Sequence, residues 1–117
     1  MEGADLPPAP PSNVSATKGT YADKVGVIWS SVSGADSYKA YRCASTATAT
    51  CSEIYSGGAL TYDDVDAADD DIQYYWVKAC SNDFGCGEYS RSSMGYKEGV
   101  TPPPSNFPLP AIMLLLN

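Results

Sequence analysis

Apolar residues in this chain recur at every second position, and no window carries a helical spacing. Val25, Val27 and Trp29 alternate, as do Tyr38 and Ala40, and then Tyr75, Val77 and Ala79. A period of two sends successive side chains to opposite faces of an extended backbone, so each run predicts a half-buried strand. Turn formers interrupt the runs at Lys18-Gly19-Thr20, Ser33-Gly34-Ala35-Asp36, Ser56-Gly57-Gly58 and Asn82-Asp83-Phe84-Gly85. Short strands, frequent turns and no helix predict an all-β, antiparallel sandwich. Seven strands are expected, at 12–18, 24–29, 37–43, 52–56, 60–63, 73–80 and 88–95.

Prolines mark the borders. Pro7, Pro8, Pro10 and Pro11 form a stiff entry segment, and Pro102, Pro103 and Pro104 mirror it. Proline lacks an amide donor and favours extended chain, so both runs are expected to be linker. The expected division is a proline-rich linker at 1–11, one folded domain at 12–97, and a proline-rich linker with an apolar tail at 98–117. The whole chain of 117 residues suits one domain.

Composition excludes several functions. The chain has no histidine. It therefore offers no Ser–His–Asp or Cys–His nucleophile pair and no imidazole metal ligand. Seven Lys+Arg stand against fourteen Asp+Glu, a formal charge of −7. That balance argues against nucleic acid, whose binding rests on neutralising phosphates, and against an anionic membrane surface. Met1-Glu2-Gly3-Ala4-Asp5 lacks the basic start and apolar run of a secretory leader, so an exported protein would present its mature part here. The four cysteines allow two disulfides in an oxidising compartment or four free thiols in a reducing one.

The order of these pieces resembles a fibronectin type III domain of a bacterial secreted or cell-surface protein. The resemblance covers about residues 8–97. It rests on Pro-Ser-Asn-Val-Ser-Ala at 11–16, Val27-Ile28-Trp29, Ser37-Tyr38-Lys39-Ala40-Tyr41-Arg42 and Thr61-Tyr62-Asp63. Tyr75-Trp76-Val77-Lys78-Ala79 and Gly85-Cys86-Gly87-Glu88-Tyr89-Ser90 complete it. It implies a seven-stranded immunoglobulin-like sandwich. Its core would hold Val14, Ala16, Val25, Val27, Trp29, Tyr38, Ala40, Ile54, Tyr62, Tyr75, Val77 and Ala79. The family's corner tyrosine falls at Gln73, leaving Tyr74 or Tyr62 to supply a substitute hydroxyl. The resemblance also implies a non-catalytic spacer, adhesion or binding unit.

In such a sandwich the third strand ends at Cys43 at one pole, and Cys51 follows the next turn. The sixth strand ends at Cys80 at the other pole, where Cys86 opens the last strand. Cross-pole pairs would exceed the Cα separation of about 7 Å that a disulfide tolerates. The expected pairs are therefore Cys43–Cys51 and Cys80–Cys86. The same separation disfavours a four-thiolate zinc site.

Three other groups are candidates for function. Asp63, Asp64, Asp66, Asp69, Asp70 and Asp71 crowd one connection and offer the oxygen ligands calcium takes, although the spacing is not an EF-hand loop. A solvated acidic loop explains the same run. Outside this calcium candidate, no cofactor is expected. Tyr41, Tyr74 and Trp76, with Lys39 and Lys78, should face outward on neighbouring strands, as a binding surface for glycan or protein or as ordinary strand-forming aromatics. Phe107, Leu109, Ile112, Met113, Leu114, Leu115 and Leu116 form an apolar tail far short of the roughly 20 residues of a membrane span. It needs cover, from its own sheet, from a following domain, or by strand addition to another copy.

The expectation is thus a non-catalytic extracellular or cell-surface module. Its partners would be other domains, copies of itself or glycan, with no nucleic acid and no membrane span. The alternatives are a self-assembling surface or filament subunit using the tail, and a polysaccharide-binding accessory module of a secreted hydrolase.

Overall fold

A computed structural model describes residues 6–47 and 50–101. Among these described residues, eight strands form two antiparallel sheets. They are β1 (Ser15–Ala16), β2 (Val25–Ile28), β3 (Ser37–Cys43), β4 (Cys51–Gly57), β5 (Thr61–Asp64), β6 (Gln73–Ser81), β7 (Gly85–Cys86) and β8 (Ser93–Gly95). One sheet runs β1-β2-β5. The other runs β4-β3-β6, with β7 and β8 both pairing with β6. No helix among the described residues is long and apolar enough to cross a membrane.

The alternation sets which face is inside. On β3, Tyr38 and Ala40 are buried. They lie opposite Ala79 and Val77 of β6, which are also buried. The core closes on Ala16, Val25, Val27, Trp29, Tyr38, Ala40, Tyr75, Val77 and Ala79, with Ala67 added from the loop before β6. Val14, Ile54 and Tyr62 pack against this cluster while partly exposed. Trp29 sits 6.1 Å from both Tyr38 and Tyr55, and Tyr55 lies 5.2 Å from Tyr62. These rings fill the space between the sheets with apolar area.

Two strands differ from expectation. The first is only Ser15–Ala16. Asn13 before it takes a left-handed φ of 58°. After it the chain changes sheet: Gly19 N–H donates to Tyr96 O and Tyr96 N–H to Thr17 O. The last strand, expected at 88–95, is regular only at Ser93–Gly95 (β8), and a separate short strand, β7, forms ahead of it at Gly85–Cys86. Between them Gly87 N–H still reaches Ala79 O and Ser90 N–H reaches Val77 O. The Ser90 hydroxyl, however, accepts from Val77 N–H at 2.9 Å in place of a main-chain carbonyl. A side chain has taken a rung of the ladder, so regular pairing stops there.

The proline entry segment is packed against the sandwich. Pro8 and Pro11 are buried. A Cβ on Gly87 would run into the Pro8 carbonyl, so glycine there lets the segment lie flat on the sheet end. The run 102–104 and the tail residues Phe107, Leu109, Ile112, Met113, Leu114, Leu115 and Leu116 lie outside the described residues.

Candidate functional site

In an antiparallel pair, residues directly opposite share a face. Tyr41 stands opposite Trp76, Lys39 opposite Lys78, and Cys43 opposite Tyr74. All six therefore lie on the outer face of the five-stranded sheet. Tyr89 joins them, a residue that alternation left unassigned because the last strand is irregular. Its ring meets Tyr41 edge-on at 5.1 Å and Trp76 at 5.8 Å. The Lys78 ammonium rests 4.3 Å from the Tyr89 ring centre and 5.7 Å from that of Tyr41. A cation over ring faces is held by their quadrupoles while its stem covers apolar surface. At the edge of this face Lys39 pairs with Glu53 at 3.3 Å. Burial, then the nearby Glu53 and Tyr89, raise the Tyr41 phenol above its ordinary pKa.

The two disulfides bracket that face. Cys43 is bonded to Cys51 and Cys80 to Cys86. Each pair lies directly across an antiparallel ladder. Cys43 and Cys80 are both buried. The second hairpin turns on Gly85 at φ 82°, and Phe84 N–H donates to Ser81 Oγ at 2.9 Å.

The structure disperses the acidic residues. Asp63 pairs with Lys24 at 3.2 Å, and Asp69 with Lys97 at 2.6 Å. Asp64 is 1% exposed and points into the molecule. Its Oδ1 accepts from Arg42 at 2.7 Å and its Oδ2 from the Tyr75 hydroxyl at 2.7 Å. Asp66, Asp70 and Asp71 are exposed. Among the described residues no three His, Cys, Asp or Glu side chains are grouped to hold a metal ion.

Sequence reasoning missed the Asp64–Arg42–Tyr75 set. The available signal was Arg42 itself, which continues the inward series Tyr38, Ala40. A cation on a buried face needs a buried acid. Burial works to lower the Arg42 pKa, and the hydrogen bond and charge of Asp64 outweigh it and raise it. The Tyr75 phenol is pushed far above its usual range, first by burial and then by its bond to Asp64. The corner also has an unexpected solution. Gln73 Oε1 accepts from Ala68 N–H at 2.9 Å, so an amide, and neither Tyr74 nor Tyr62, ties the strand to the preceding loop.

No family model matches the chain, and no curated protein matches it. Solved structures do. An Fn3-like protein from Clostridium thermocellum is similar with a TM-score of 0.69 and 25% identity, over 78% of this chain and 95% of that one. A human FNIII domain is similar with a TM-score of 0.62 and 18% identity, over 86% of this chain and 89% of that one. A pectate lyase from Pectobacterium carotovorum is similar at a TM-score of 0.61 and 20% identity, over 69% of this chain and 26% of the lyase. With its two antiparallel sheets and closed core, the chain folds as a fibronectin type III domain.

Proposed function

We propose that this domain is a non-catalytic binding module of a larger extracellular protein, with glycan as its ligand. The observation that carries the reading is the cluster of Tyr41, Trp76 and Tyr89 on the outer face of the five-stranded sheet. Aromatic side chains offer large, rigid contact area at small entropic cost, and rings on a flat sheet suit stacking against sugar rings. The two disulfides support an oxidising, extracellular setting. The pectate lyase likeness, which covers 26% of that chain, supports a parent protein that acts on polysaccharide.

The test is affinity electrophoresis through gels containing soluble neutral and acidic polysaccharides. Retardation by at least one polymer is expected, and Trp76→Ala and Tyr41→Ala should each abolish it while the melting temperature shows that the fold persists. A domain that no polymer retards, or one retarded equally in both variants, would overturn the reading.

A further inference from the structure

The cations of this acidic protein are placed unevenly. It has seven Lys+Arg against fourteen Asp+Glu. Four of the seven are paired with carboxylates: Lys24 with Asp63, Lys39 with Glu53, Arg42 with Asp64, and Lys97 with Asp69. Lys18 donates to the Ala16 carbonyl at 3.1 Å. The remaining two, Lys78 and Arg91, have no carboxylate within ion-pair distance among the described residues. Both border Tyr89. Lys78 sits over its ring at 4.3 Å. Arg91 is exposed and shares with Tyr89 a groove of about 400 Å³ lined also by Pro10, Pro11, Asn13 and Val14.

Three of the seven cations, Lys18, Lys78 and Arg91, are without an acid among the described residues. Two of the three meet at Tyr89, which belongs both to the aromatic cluster and to the groove. Of the acids in the connection before β6, Asp63, Asp64 and Asp69 are paired with other cations, and Glu53 on this face is paired with Lys39. Around Tyr89 the two unpaired cations, Lys78 and Arg91, outnumber the exposed neighbouring acid Glu88. Arginine takes a carboxylate through two parallel N–H donors, and lysine takes one as a point charge. The rings alongside supply stacking area, and a groove running on from the rings suits a chain more than a single small molecule.

Building on the reading of this face as a binding surface, we propose that its ligand is an acidic polysaccharide of the uronic acid type. Arg91 in the groove and Lys78 beside Tyr89 take successive carboxylates, and Tyr41, Trp76 and Tyr89 carry the sugar rings.

Polygalacturonate and the same polymer with its carboxylates reduced to alcohols separate charge from backbone. The expected result is binding to polygalacturonate only, weakened by added salt and by about tenfold or more in Arg91→Ala and in Lys78→Ala. Binding to both polymers that Trp76→Ala abolishes and Arg91→Ala leaves unchanged would overturn the acidic ligand while keeping the binding face. Competition by polyglutamate at equal charge would overturn the sugar and leave only an anion-binding surface. Binding to neither polymer would overturn this ligand class, and only silence across the whole panel of polysaccharides would remove the face as well.

Discussion

The Tyr75 hydroxyl donates to Asp64 at 2.7 Å, joining β6 of one sheet to β5 of the other inside the core. Arg42 of β3 completes the set from the same side as Tyr75. One buried acid thus satisfies two donors, and it also accepts from Asp66 N–H at 3.2 Å. Removing it strands both partners. Asp64→Ala is expected to cost about 3 kcal/mol, the low end for breaking a buried pair because the Arg42 side chain keeps 22% exposure. Tyr75→Phe, which leaves the ion pair in place, should cost about 1–2 kcal/mol. Urea denaturation of the two variants measures the order.

The same phenol makes stability depend on alkaline pH. Burial and the bond to Asp64 hold Tyr75 protonated in the folded state, above its ordinary value. In the unfolded chain it ionises near pH 10. The folded state then binds a proton that the unfolded state has lost, so stability falls as pH rises above about 10. Tyrosinate absorbance during an alkaline titration should show Tyr75 ionising last of the nine tyrosines, together with unfolding. Tyr75→Phe should flatten the loss.

At the acid end the relevant pair is Asp69 with Lys97. The hydrogen bond from Lys97, then its charge, lowers the Asp69 pKa. A lowered carboxylate stabilises the fold above its unfolded value of about 4, and that contribution is lost as pH falls through the folded value. Asp69→Asn should therefore show a shallower drop in melting temperature below about pH 4 than the parent protein. A drop of equal steepness would assign the acid sensitivity to other carboxylates.

Each disulfide closes a short loop, with sequence separations of 8 and 6. The chain-entropy relation gives roughly 2–3 kcal/mol for loops of this size. Replacing either pair by alanines should lower stability by about that amount, and the double replacement by about the sum, since the two lie at opposite ends of the sheet. Mass mapping of peptides before and after reduction checks the pairing.

Gly95 is fixed by close approach. A Cβ there would lie 2.8 Å from Ala16 Cβ and from Val25 Cγ1, and 2.9 Å from the Tyr75 ring. Gly95→Ala is expected to cost about 1–3 kcal/mol by overpacking the core. Gly34→Ala tests a different effect, because nothing lies within 4 Å of its added carbon while its φ is 85°. Thermal melts of the two separate steric crowding from backbone strain.

How much of this was legible depended on whether a side chain followed the backbone rhythm. The third strand was, from Ser37 to Cys43, because its burial alternates without a break from Ser37 to Tyr41. The last strand was not, since the Ser90 hydroxyl substitutes for a carbonyl, and no pattern of apolar residues reports that. Tyr89 escaped for the same reason. Asp64 was grouped with its neighbours because aspartates in a run look alike, whereas the pleat of β5 sends this one inward in phase with Tyr62 and leaves Asp63 outside. Pro8 and Pro11 had the composition of linker, and composition carries no information about what a flat surface elsewhere in the chain will accept.

The disulfides have a mechanical consequence. The segment at Pro8 lies beside Gly87, near the end of β6, while Lys97 reaches Asp69 near its start. Tension along the chain would therefore pull on opposite poles of the sandwich. Each cystine joins two directly opposed residues of one hairpin, so the extension it withholds is only its own small loop. A stretched domain would still unravel through almost its full contour, absorbing work as it lengthens, and would keep two knots of sequence to guide each hairpin back into register on release.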